Sequence, residues 1–198
     1  MYPTGRAEDG LTASPISVLH IMPDMGGGKA FEVDGAKRPY LLIDVDGVLN
    51  PFGTVDRPRG FAWHQLGGYG VWLSRRHGEW LNGLADWFDL VWATTWEHDA
   101  DLLIAPVVGL PSGLPVIEFN DGTADETWKL PDVARFVGDR PCAWIDDDLW
   151  PDAFTWAEQR DTPTLLIRTT PSVGLTEDEV RRLDGFGRAQ QEGMNVSL

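Results

Sequence analysis

The stretch Tyr40–Asn50, YLLIDVDGVLN, constrains the fold more than any other part of the chain. Three consecutive apolar residues, Leu41, Leu42 and Ile43, run straight into Asp44 and Asp46, which are separated by one valine and followed by Gly47. A short continuous apolar run is expected of a strand covered on both faces, as in a parallel sheet. Desolvating a carboxylate is costly. Two carboxylates at the end of such a strand need a reason: a turn that returns them to water, or a counter-charge.

The pattern recurs along the chain. Leu90-Val91-Trp92-Ala93 is a second apolar run and ends in Thr94-Thr95. Cys142-Ala143-Trp144-Ile145 is a third and ends in Asp146-Asp147-Asp148, and Leu165-Leu166-Ile167 is a fourth. Helical patterns lie between them. Ser74–Phe88 has Ser74 placed as an N-cap, with Trp80, Leu81, Leu84, Ala85 and Phe88 on one stripe. Further helices are expected over Glu97–Ile104, over Asp132–Phe136 behind Pro131, over Pro151–Gln159, and over Thr176–Leu183, where Thr176 and Glu179 have capping-box spacing. Residues 50–74, rich in glycine and aromatics, read as a long loop or hairpin.

Strands alternating with helices predict an α/β fold: a three-layer, Rossmann-like parallel sheet with helices on both faces. Open sheets of this kind bind ligands at the carboxyl ends of their strands. Asp44, Asp46, Thr94, Asp146 and Asp147 are therefore expected to converge on one edge, with Lys129 supplied from a helix start.

Charge narrows the partners. Sixteen basic and 31 acidic residues give a formal charge of −15, a field that repels nucleic acid and anionic membranes but favours cations. Packed carboxylates would hold a hard cation such as Mg²⁺. Cys142 is the only cysteine, so no internal disulfide is possible. The polar N-terminus and the lack of a long apolar run predict a cytoplasmic protein without a membrane span.

The motifs together resemble those of the haloacid dehalogenase (HAD) superfamily, specifically its minimal aspartate-nucleophile phosphatases. LLIDVDGVL is similar to the first motif of that family, LVWATTW to the second, Lys129 in TWKLPD to the third and AWIDDD to the fourth, in the family's order over roughly residues 40–170. The resemblance implies a Mg²⁺-dependent phosphomonoester hydrolase working through an aspartyl-phosphate. Asp44 would be the nucleophile, and Asp46 the general acid and base whose carbonyl also meets the metal. Thr94 or Thr95 would hold the phosphoryl group, Lys129 would balance its charge, and Gly47 would allow the turn after the strand. Asp146 and Asp147 would complete a metal site with Asp44 and Asp46, with Asp148 an alternative ligand or a helix cap.

Asp44 and Thr94 are 50 positions apart, and Thr94 and Lys129 are 35 apart, so neither gap holds a large cap domain. An open site suits a bulky substrate. The partners expected are a phosphorylated small molecule or a nucleic-acid end, with a protein partner or an oligomer also compatible. The alternatives are a polynucleotide 3′-end phosphatase in RNA or DNA repair, a phosphotransferase, and a non-catalytic binding module that keeps the fold. Trp96 and Trp128, which flank the second and third motifs, are candidates for stacking on a base, with core packing as the commoner role. Residues 1–38 are expected to be a flexible tail or edge extension, 39–190 the HAD-like catalytic domain, and 191–198 a C-terminal tail.

Overall fold

Leu41, Leu42 and Ile43 are completely buried because both faces of their strand are covered. The computed structural model describes residues 37–53, 58–120 and 126–196. Its elements are β1 (Tyr40–Ile43), β2 (Ala62–Leu66), β3 (Tyr69–Leu73), α1 (Arg75–Leu84) and β4 (Asp89–Trp92). A π-helical turn (Ala100–Ile104) then runs into α2 (Ala105–Val108), followed by α3 (Leu130–Val137), β5 (Cys142–Asp146), α4 (Pro151–Glu158), β6 (Thr164–Arg168) and α5 (Glu177–Val196). Four strands form one parallel sheet in the order β4-β1-β5-β6, which puts β1 and its aspartates in the interior of the sheet. Leu42 lies in register with Val91 on one side and Trp144 on the other. Pairing continues one step past the strand: Asp44 N–H donates to Ile145 O (3.1 Å), and Ala93 N–H donates to Ile43 O (2.9 Å).

The period of two along each strand sorts the core into two layers. Leu41, Ile43, Trp92 and Ile145 pack with Leu81 and Leu84 of α1, Val108 of α2 and Leu183 of α5. Leu42, Val91 and Trp144 pack on the opposite side with Val133 and Val137 of α3 and Ala153 of α4. Each fully buried Leu or Ile contributes about 1.5–3 kcal/mol. The β1 triplet thereby offsets part of the cost of taking Asp44 out of water. The large rings of Trp92 and Trp144 are wholly buried, although neither indole Nε1 has a hydrogen-bond partner.

The stretch 50–74 does contain a hairpin, β2 and β3 joined at Gly67-Gly68, and its size fits a small flap rather than a cap domain. Three expected helices differ in length. The first ends at Leu84, and Phe88 reaches the core from the turn beyond it. The second continues past Ile104 to Val108, because Pro106 falls in the first turn of α2, where a missing N–H costs little. The last runs to Val196, through positions 191–196 that were expected to be tail. Gly187 makes this possible: a Cβ there would come within 2.6 Å of Trp87 Cβ and 2.7 Å of Phe88 Cε2, so only a glycine lets α5 lie this close. Glu179 Oε2 accepts from Thr176 N–H at 2.6 Å, one arm of the expected capping box. Positions 1–36 of the expected N-terminal tail lie outside the described residues.

His77 on α1 is buried, with Nε2 3.1 Å from Leu175 O and Nδ1 without a partner. Burial pushes its pKa down to about 4. The native imidazole stays neutral while the unfolded chain takes up a proton as the pH falls through about 6.5. Stability is thus whole above that pH and is lost on acidification toward the native value, by about 2 kcal/mol between pH 7 and pH 5. Urea unfolding of wild type and His77→Gln at these two pH values is expected to show the variant spared this loss. An equal decline in both would show that His77 is not its source.

Candidate active site

The strand ends meet as the topology requires. Asp44 immediately follows β1, Asp146 is the last residue of β5, and Thr94 lies two residues beyond β4. Lys129 sits at the N-cap of α3, with Pro131 in the helix's first turn. Its Nζ is 3.1 Å from Asp44 Oδ2, 2.7 Å from Asp146 Oδ2 and 3.4 Å from Ala93 O. All three charged residues are buried. Burial alone would lower the Lys129 pKa, but the facing Asp44 and Asp146 carboxylates reverse this and hold it above its ordinary value. The lysine is a permanent cation.

One cation does not balance the site. Oxygens of Asp44, Asp146 and Asp147 all lie within 4.8 Å of one another, so three carboxylates face one ammonium. Without a further cation the surplus is relieved by protons. Burial and then the neighbouring Asp146 push Asp44 up to about 7, with Lys129 pulling the other way. Burial and Asp146 likewise raise Asp147 to about 6. Asp44 Oδ1 is buried and has no hydrogen-bond partner. An orphaned carboxylate oxygen and two uncompensated negative charges fit a divalent cation, which binds carboxylate oxygen and displaces those protons.

The backbone around the cluster is held to match. Gly47 has φ +73°, and a Cβ there would fall 2.3 Å from Asp147 Cγ. Only glycine relieves both constraints. Thr169, just beyond β6, donates from its hydroxyl to Gly47 O at 2.8 Å and from its N–H to Asp146 O at 3.1 Å. It ties the β1 loop to the end of β5. The strand-end logic that selected Thr94 applies equally to Thr169, which follows the fourth apolar run.

The carboxylate of Asp46 is not among the three clustered ones; it turns toward the flap. Its Oδ1 accepts from Asn50 Nδ2 at 2.6 Å and its Oδ2 from Trp96 Nε1 at 2.9 Å. Asn50 Oδ1 in turn accepts the Trp72 amide of β3 at 2.8 Å. Neither Asn50 nor the Trp96 indole N–H carries a readable signal for this contact, because one depends on the turn after β1 and the other on β4 ending beside β1. Thr94 is fully buried and its Oγ1 accepts from Trp96 N–H at 3.4 Å, whereas Thr95 is exposed. Thr95 lines a cavity of about 400 Å³ together with Asp46, Tyr69, Trp96 and Asp99. Trp128 packs edge-on against Phe119, beside Lys129. The Asp148 carboxylate accepts from Trp150 Nε1 at 2.7 Å and does not cap α4.

Among the described residues, no helix is long and apolar enough to cross a membrane. No curated protein matches the chain. The family described as "HAD domain in Swiss Army Knife RNA repair proteins" matches residues 40–180, from the first residue of β1 into α5. A match of that extent, over a parallel sheet whose strand ends gather Asp44, Lys129, Asp146 and Asp147, places the chain in this family of HAD-like hydrolases without a large cap domain.

Proposed function

We propose that this protein is a Mg²⁺-dependent phosphatase of polynucleotide 3′ ends. The observation that carries the reading is the set of buried Asp44 and Asp146 and half-buried Asp147 around Lys129, two charges short of neutrality, in a chain of an RNA-repair HAD family. The family favours the nucleic-acid end over a small phosphorylated metabolite. The catalytic unit is taken as residues 39–190. With a net charge of −15 the protein engages the end of a strand and not its backbone, so affinity depends only weakly on salt.

Asp44, Asp146, Asp147 and the backbone carbonyl of Asp46 would hold the ion. When bound, Mg²⁺ supplies charge neutralisation to the phosphoryl oxygens. The chain's own residues then divide the reaction. Asp44 attacks phosphorus through a carboxylate oxygen, and the bond to the leaving oxygen breaks. Asp46 gives that oxygen its proton, which makes the departing group a neutral alcohol. Asp46, now a carboxylate, takes a proton from water as the water attacks the aspartyl-phosphate, and Asp44 is released with inorganic phosphate. Lys129 stabilises the negative charge shared between Asp44 and the phosphoryl group. Thr94 and Thr95 supply hydroxyls to its oxygens, and Gly47 leaves the turn open beside them. Positioning and charge do most of the work in such transfers.

Incubation with Mg²⁺ and oligoribonucleotides phosphorylated at the 3′ or the 5′ end is expected to release phosphate from the 3′ end. Asp44→Asn is expected to lower that rate by at least about 10³-fold while circular dichroism stays unchanged. Release from small sugar phosphates alone would return the reading to a metabolite phosphatase, and full activity in Asp44→Asn would remove the nucleophile.

The metal assignment has its own readout. Mg²⁺ should raise the melting temperature, by an amount corresponding to about 2.7 kcal/mol at a hundred times its dissociation constant. Asp147→Asn is expected to need far more Mg²⁺ for the same rise. An identical titration in both proteins would exclude Asp147 as a ligand.

A further inference from the structure

The cavity of about 400 Å³ beside Asp46 has walls that match one part of a substrate. In the reaction proposed above Asp46 serves the leaving oxygen, so the leaving group has to lie beside Asp46, and Asp46 lines this cavity. Ligand cavities run from roughly 300 to 1,000 Å³, so this one has room for a single nucleoside and not for a length of strand. Two of its five lining residues are aromatic. Tyr69, at the tip of the hairpin, is 69% exposed and meets Trp96 edge to face, with ring centroids 5.7 Å apart. Trp96 is held in place by its indole N–H on Asp46, and the hairpin turn lies against it: a Cβ on Gly67 would come 3.8 Å from Trp96 Cζ3 and 3.3 Å from Leu103 Cδ1. The remaining lining groups are the Thr95 hydroxyl and the carboxylates of Asp46 and Asp99. Among the described residues no basic side chain lines the cavity.

We infer that this cavity is the leaving-group site and that it takes an uncharged, base-bearing sugar: the terminal nucleoside whose 3′ oxygen carries the phosphate. The base stacks on the open face of Tyr69 beside Trp96, and the carboxylate of Asp99 accepts from a ribose hydroxyl. The acidic lining repels any second phosphate within the cavity, so the rest of a strand leaves through its open side. Tyr69 is on this account a specificity-determining residue contributed by the flap. The inference rests on the phosphatase reading above and narrows it.

The test compares paired substrates that differ only in the terminal base. One pair is a 3′-phosphorylated oligoribonucleotide ending in adenosine and the same oligomer with an abasic 3′ residue. The other is adenosine 3′-monophosphate and its base-free methyl riboside phosphate. Wild type is expected to prefer the base-bearing member in kcat/KM by roughly ten-fold or more, the usual worth of one stacked base. In Tyr69→Ala that ratio should collapse toward one, and in Tyr69→Phe, which keeps the ring, it should be retained. A wild-type ratio near one, or a ratio that survives Tyr69→Ala, would overturn the inference and leave the 3′-end phosphatase standing. A Tyr69-dependent ratio in the mononucleotide pair, with neither oligomer hydrolysed, would uphold the cavity and overturn the polynucleotide reading. Hydrolysis of none of the four would overturn both.

Discussion

Everything at the carboxyl edge of the sheet is organised by a charge imbalance: three carboxylates drawn around a single buried ammonium. Desolvation penalises each ionised group, and an unpaired charge in this position would be untenable. Lys129 answers part of the demand, and the upward shifts of Asp44 and Asp147 are the part it leaves unmet. The same imbalance that costs stability in the unliganded protein is a source of affinity for a cation and, through it, for a phosphoryl group.

The fold meets this demand with few parts. Parallel pairing fixes the relative heights of β1, β4 and β5, so residues far apart in the chain end at the same level. The α3 N-cap then brings Lys129 in from a separate layer, while Thr169 and Gly47 clamp the two loops that carry the clustered aspartates. The neutral donors Asn50 and Trp96 hold Asp46 apart from the clustered charges. Two chemically identical aspartates, separated by one residue, thereby occupy different surroundings, one among charges and the other among neutral donors.

Much of this was legible in the chain because it depends on short-range pattern. Apolar runs ending in polar residues located all four sheet strands, and one turn of logic about strand ends located Asp44, Thr94, Asp146 and Asp147. Lys129 was marked by its place at a helix start ahead of Pro131, and its role came from the family's motif order, since such a lysine carries no charge-pairing signal of its own. Contacts that require the hairpin to return beside β1 left no trace in local periodicity: the Trp72 amide with Asn50, and Tyr69 with Trp96. The lengths of α2 and α5 were misjudged for a related reason. Pro106 and Gly187 look like interruptions until the π turn before one and the close packing of Trp87 and Phe88 on the other are seen.

The hydrogen bond from the Trp72 amide to Asn50 has a consequence for how such a domain can diverge. It fastens the base of the hairpin to the catalytic floor through main chain, so the fastening is indifferent to which side chain occupies position 72. At the far end Gly67 and Gly68 hold positive φ and Gly67 lies against Leu103 and Trp96, so the part left free to vary is the exposed side chain of Tyr69. The rim can change there while the strand ends beneath keep their alignment.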